Sequence, residues 1–202
     1  MKKILYIFII LFLPLSILTS CDEATTNEDN SINSESAQTT NINTPEYKFA
    51  IYLVKDLSSF DAAKTDLNEL PLESEPIITE KNLPAYYWKS NVLKFDSIAL
   101  SDELMKVTGT SGKPFVLTTN GERVYLGTLW TPMSSAVPPE DTPVLNILSS
   151  GPIIDKLNKD GYNISPESNE IYLEISAPFK GKDNRNDARI YNALKDADIL
   201  IE

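Results

Sequence analysis

From Tyr47 onward, apolar and polar positions alternate with periods that change from one segment to the next. Along Tyr47-Lys-Phe-Ala-Ile-Tyr-Leu-Val-Lys55, the residues Tyr47, Phe49, Ile51 and Leu53 share one face at a period of two. That predicts a strand, and Ala50 and Val54 imply that its second face is partly covered. Ser58 with Asp61 three residues on marks a helix start, and Phe60, Ala63, Leu67 and Leu70 keep helical spacing until Pro71. A short helical turn is expected after Thr79, leading into Tyr86-Tyr87-Trp88, with a strand over Val92 to Phe95. The clearest local signal is a hairpin. Pro114 to Thr119 and Glu122 to Trp130 flank Asn120-Gly121, which suits a two-residue type I′ turn because both positions need positive φ. That register sets Leu117 against Val124 and Phe115 against Leu126 on one face, with Val116 and Tyr125 on the other. A strand at Val144 to Leu148 and a helix at Ile153 to Leu157, closed near Gly161, come next. Ile171, Leu173 and Ile175 then alternate with Glu170, Tyr172 and Glu174, which predicts a strand with one wet face. A last helix from about Asp187 carries Ile190, Ala193, Leu194 and Ala197 on one stripe. Together these elements predict a single α+β domain over residues 47–202, built on a largely antiparallel sheet and ending in a C-terminal helix.

The residues before Tyr47 follow different rules. Met1-Lys2-Lys3 is cationic, and Ile4 to Leu18 runs fifteen residues without a charge, interrupted by Pro14. A membrane-spanning helix needs about 20 apolar residues, so this stretch fits the apolar region of a signal peptide over residues 1–20. Leu18-Thr19-Ser20-Cys21 resembles the lipobox of bacterial lipoproteins. The resemblance implies that the Cys21 thiol receives a diacylglycerol group and becomes the mature N-terminus. Cys21 is also the only cysteine of the chain, so a disulfide has no second partner. The alternative is a free thiol at the end of an uncleaved anchor. From Asp22 to Glu46 there are six acidic residues, no basic ones and no aromatics. A segment with so little apolar surface cannot offset its conformational entropy, so residues 21–46 are expected to be a lipidated N-terminus and a disordered tether.

Charge and composition narrow the chemistry. The chain carries 18 Lys and Arg against 29 Asp and Glu, which argues against nucleic acid and against a polybasic grip on lipid. With no His, there can be no Ser-His-Asp triad and no imidazole metal site. Glu73 and Glu75 are the nearest local pair of carboxylates, and two acids between Pro71 and Pro76 are more often solvated than catalytic. Thr108-Gly-Thr-Ser-Gly-Lys-Pro114 fails as a phosphate loop, because its glycines are two residues apart and Pro114 stands where a hydroxyl is needed. Asn158, Asp160, Gly161 and Glu167 match four positions of a calcium loop, but Lys156 occupies the first ligand position. The densest polar cluster is Lys180 to Arg189. There Asp183, Arg185, Asp187 and Arg189 are the candidate ligand-binding residues, with the arginines and a helix N-terminus able to hold an anion. The plainer alternative is that Asp187 or Asn186 caps the helix while both arginines pair with nearby acids. Trp88, Trp130, Tyr86 and Tyr87 could form an aromatic surface for sugar or peptide, or lie in the core.

Tyr47 to Asp56, Asn120-Gly-Glu-Arg-Val-Tyr-Leu-Gly127 with Ser134-Ser135, and Asp183-Asn-Arg-Asn-Asp187 carry a further likeness. Through them, most of residues 47–202 resembles an uncharacterised kind of exported lipoprotein domain of low-GC Gram-positive bacteria. It implies export and these domain limits, and no activity. The expectation is therefore a non-catalytic lipoprotein on the extracytoplasmic face of the cell membrane, held by lipid on Cys21 and needing no cofactor. It would bind an envelope protein or a small ligand. One alternative is a carboxylate-based hydrolase of wall sugars or peptides, with two acids within about 5–10 Å across a cleft. Another is a structural spacer without a concave site.

Overall fold

Alternate residues of β1 (Phe49–Leu53) point to opposite sides, and both sides are covered: Phe49, Ala50 and Ile51 are wholly buried. The computed structural model describes residues 47–148 and 150–202. β1 pairs antiparallel with β2 (Ile78–Thr79) on one side and with β5 (Lys113–Thr119) on the other. β5 continues through the predicted turn into β6 (Glu122–Trp130), with φ of 48° at Asn120 and 78° at Gly121. Beyond β6 lie β7 (Val144–Asn146), β8 (Ile171–Ser176), β4 (Val92–Phe95), β3 (Ala85–Tyr87) and β9 (Leu200–Ile201). The nine strands form one sheet that curls into a half-barrel, in the order β2-β1-β5-β6-β7-β8-β4-β3-β9. The pairings β6 with β7 and β3 with β9 are parallel and the other six antiparallel, so the sheet is mixed but largely antiparallel.

The curl encloses the main core. Phe49, Ile51, Tyr86, Leu93, Phe95, Phe115, Leu117, Leu129, Leu145, Leu173 and Ile175 face inward. Two helices close this face: α4 (Ala188–Asp196), through Ile190 and Leu194, and α2 (Ile98–Thr108), through Leu104. The opposite face is covered in two separate patches. α3 (Ser150–Lys159) lays Ile153 and Leu157 over Ala85, Tyr87, Val92 and Tyr172. The segment after α1 (Ser59–Ala62) lays Leu70 over Val54 and Val116. Between the patches, the outward Trp130 of β6, Val144 and Asn146 of β7 and Ser176 of β8 lie beside Pro138 and Phe179 of the connecting loops.

Several expectations are corrected. The Ser58 cap is present, with Ser58 Oγ accepting from the Asp61 amide at 3.1 Å, but the helix it starts ends at Ala62. Asp66 Oδ1 accepts from the Asn68 amide at 2.8 Å, a local turn that competes with further helix. The buried residues of α1 are Ser59 and Ala62, while Phe60 is 50% exposed. The hairpin register holds for Thr119–Glu122 and Thr118–Arg123, then slips by one, so that Leu117 faces Tyr125 and Phe115 faces Gly127. This is a bulge at Val124, and it puts Val124 and Tyr125 both into the inner core. Gly127 suits the shifted register, because a Cβ there would lie 2.3 Å from the Phe115 ring. The face of β8 expected to be wet is partly closed by α3, with Tyr172 2% exposed. β2, α2 and β9 have no counterpart among the elements that the sequence predicts.

Candidate functional site

Asp183, Arg185 and Asp187 lie on the loop that runs from β8 into α4 and Arg189 in the first turn of α4, and each arginine is gripped by the acid two residues before it. Arg185 donates from Nε to Asp183 Oδ1 at 2.9 Å and from NH2 to Asp183 Oδ2 at 2.7 Å. Its third nitrogen donates to the Ile175 carbonyl at 2.8 Å, which ties the loop to the end of β8. The Arg185 side chain is only 13% exposed. The Arg185 hydrogen bonds hold the Asp183 carboxyl below the usual range, against the opposing effect of burial. Arg189 repeats the two-pronged grip on Asp187 at 3.0 and 2.9 Å, nearer solvent, with Glu122 3.7 Å away. Asp187 is also the cap of α4, accepting from the Arg189 amide at 2.9 Å. Its carboxyl too is lowered, chiefly by the Arg189 side chain. The cluster is therefore brought together, with its guanidinium groups already satisfied by carboxylates of the same loop.

The open surface lies beside that loop, on the uncovered strip of the outer face. Because Leu129, Leu145 and Ile175 point inward, Trp130, Val144, Asn146 and Ser176 point out. With Pro138, Ala177 and Phe179 they line a groove of about 420 Å³. Phe179 is 74% exposed. Among the described residues, neither Phe179 nor Trp130 stacks on another ring. Trp130 is backed by Gly112, where a Cβ would lie 2.4 Å from the indole. Asn146 Nδ2 donates to Ser176 Oγ at 2.7 Å and to the Val144 carbonyl at 3.3 Å. Among the described residues, no side chain on the lining is ionisable. The two loops that frame the groove are tied together: the Lys180 amide donates to the Glu140 carbonyl at 2.8 Å, and their side chains form an ion pair.

The remaining candidates are dispersed or occupied. Glu73 sits 3.9 Å from Lys55, and Glu75 is exposed. Asn158 exchanges hydrogen bonds with the Ile164 backbone, Asp160 accepts from Ser90 Oγ at 2.6 Å, and Lys156 binds Glu174 at 2.6 Å. Among the described residues, no group of three or more His, Cys, Asp or Glu side chains is placed to hold a metal ion. Lys94 contacts Glu170 at 2.5 Å while Tyr172 donates to the other Glu170 oxygen at 2.9 Å, a half-buried triad at the edge of α3. A shallower hollow near the chain end contains Asp198 and Glu202 with Tyr191 and Lys195, and the Tyr191 hydroxyl donates to Glu202. The four aromatics form no common surface: Tyr86 faces the inner core, Tyr87 lies under α3, Trp88 packs edge-on to Tyr191, and Trp130 lies in the groove. Cys21 lies outside the described residues. Sequence reasoning missed Phe179, Asn146 and Ser176, and alternation along β7 and β8 was the signal that pointed the last two outward. No protein-family model, curated protein or solved structure matches the chain.

Proposed function

We propose that this chain is a lipoprotein anchored by lipid on Cys21 at the extracytoplasmic face of the cell membrane, and that residues 47–202 are a non-catalytic binding module. Its hairpin turn at Asn120-Gly121 is of type I′. The ligand seat is the groove between Trp130 and Phe179. The observation that carries this reading is an exposed, aromatic-walled concavity, of a volume ordinary for small-ligand sites, without a carboxylate on its lining. Phe49 pairs with Thr119 at one end of β5, Lys113 at the other end pairs with Leu129, and Trp130 lies one residue further. That places the groove about 20 Å along the strands from the start of β1, at 3.3 Å per residue.

Two measurements test the two halves. Cys21→Ser should abolish palmitate labelling and processing together, and persistent acylation would end the lipoprotein reading. Calorimetric titration with fractionated wall glycan and wall peptide should give binding that Phe179→Ala weakens without changing the melting temperature. Turnover of either material, lost on Asp198→Asn or Glu202→Gln, would establish the hydrolase instead.

A further inference from the structure

We infer that the groove seats an uncharged saccharide of one or two rings; this rests on the groove being the ligand seat. The polar atoms on its floor are the first reason. Asn146 spends its amide N–H groups on Ser176 Oγ and the Val144 carbonyl, which leaves Asn146 Oδ1 as an acceptor and the Ser176 O–H as a donor, side by side. The Trp130 indole N–H, also unengaged among the described residues, is a second donor. A sugar hydroxyl both donates and accepts, so vicinal hydroxyls match such a mixed floor. The apolar faces of pyranose rings in turn suit the flat surfaces of Trp130 and Phe179.

Charge is the second reason. Among the described residues the lining holds no ionisable side chain, and a protein of net charge −11 repels anionic polymers, so neutral glycans are favoured over acidic ones. Access to the backbone is the third. The groove floor is β6, β7 and β8, each of which has a strand on both sides, so no free edge is offered to an extended peptide. Recognition must come from side chains. Finally, the walls are set in advance: Gly112 backs the indole, and the Phe179 loop is held at Lys180 by Glu140 and at Arg185 by the Ile175 carbonyl. Walls fixed before binding lose less entropy when the ligand arrives.

The test is calorimetric titration of the full-length protein in neutral detergent with cellobiose, maltose, lactose and N,N′-diacetylchitobiose, chosen as neutral disaccharides. A wall peptide and an apolar dye serve as controls. At least one disaccharide should bind saturably at millimolar concentration or tighter. Phe179→Ala and Ser176→Ala should each weaken it by about tenfold, the scale of one aromatic contact or one hydrogen bond, Phe179→Ala with an unchanged melting temperature. The uronic-acid counterpart of the binding sugar should bind more weakly. Silence with all four disaccharides would overturn the saccharide assignment. If the peptide or dye then bound in a Trp130-dependent way, the groove would stand as a seat with a different ligand class. If nothing bound, or binding ignored Trp130→Ala and Phe179→Ala, the groove reading would fall as well.

Discussion

The charged loop from Asp183 to Arg189 and the groove beside it differ in how far their side chains satisfy one another. At the loop and the start of α4, two carboxylates and two guanidinium groups close on each other within seven residues of sequence, and Arg185 turns its third nitrogen to a strand carbonyl. In the groove, Trp130, Asn146, Ser176 and Phe179 come from three strands and a loop and leave aromatic faces, a donor and an acceptor open. Polar residues that crowd together in sequence are the ones best placed to neutralise one another. Capacity for a ligand is found where distant segments meet without doing so. The loop accordingly acts as a brace, and the groove as the surface it braces.

That division can be broken most directly at Arg185. Arg185→Ala leaves Asp183 and the Ile175 carbonyl without their charged donor and should cost about 1–3 kcal/mol, as expected where the arginine is buried and its acid is partly open to solvent. Arg189→Ala removes a partly exposed pair and should cost less than about 1 kcal/mol. Chemical denaturation of the two variants measures the contrast. Equal losses would mean that the two grips are energetically alike and that Arg185 is no brace.

Gly112→Ala probes the groove side and should cost about 1–3 kcal/mol. The residue has φ of 76°, and its new Cβ would meet the indole ring at 2.4 Å. The indole must shift, so a change in Trp130 emission should accompany the loss. Loss of stability with unchanged emission would show that the turn gave way and that Gly112 does not position the ring.

Acid separates the regions by a smaller effect. The carboxyl groups of Asp183 and Asp187 are lowered in the folded protein, chiefly by hydrogen bonds from Arg185 and Arg189. A lowered folded value contributes stability that is full above the unfolded Asp value, about 3.9, and is lost as pH falls through the folded value. The melting temperature should therefore fall below about pH 4, and Asp183→Asn should flatten that decline while lowering stability at neutral pH. Among the described residues the groove has no ionisable lining, so a decline below pH 4 that Asp183→Asn and Asp187→Asn leave unaltered would place the sensitive carboxyl elsewhere.

How much of this was legible in the sequence follows the range of the interactions involved. The Ser58 and Asp187 caps, the Asn120-Gly121 turn and the stripe of Ile190, Ala193 and Leu194 are local, and the structure contains each of them. The bulge at Val124 was not legible, because a two-residue turn fixes only the pairs next to it. Packing of Phe115 over Gly127 acts three pairs further on. α2 was hidden because its buried positions, Leu104 and Thr108, form a weak stripe, with Ile98 and Met105 exposed. The groove was invisible for a stronger reason: it depends on β6 and β7 running parallel, a pairing across the Thr131 to Pro143 loop that no alternation pattern reveals.

The smallest stability effect is predicted at the residue that matters most to the groove. Phe179 is 74% exposed, so Phe179→Ala removes little buried apolar surface and should change stability by less than about 0.5 kcal/mol. The same loop carries Arg185, whose loss should be felt throughout the fold. If Phe179→Ala instead destabilised the protein as much as Arg185→Ala, Phe179 would have to pack against the body in solution and close the groove. The loop would then be a cover over β6, β7 and β8 rather than one wall of an open seat. A pair of denaturation curves decides this without any ligand, because a side chain that waits for a partner contributes almost nothing until the partner arrives.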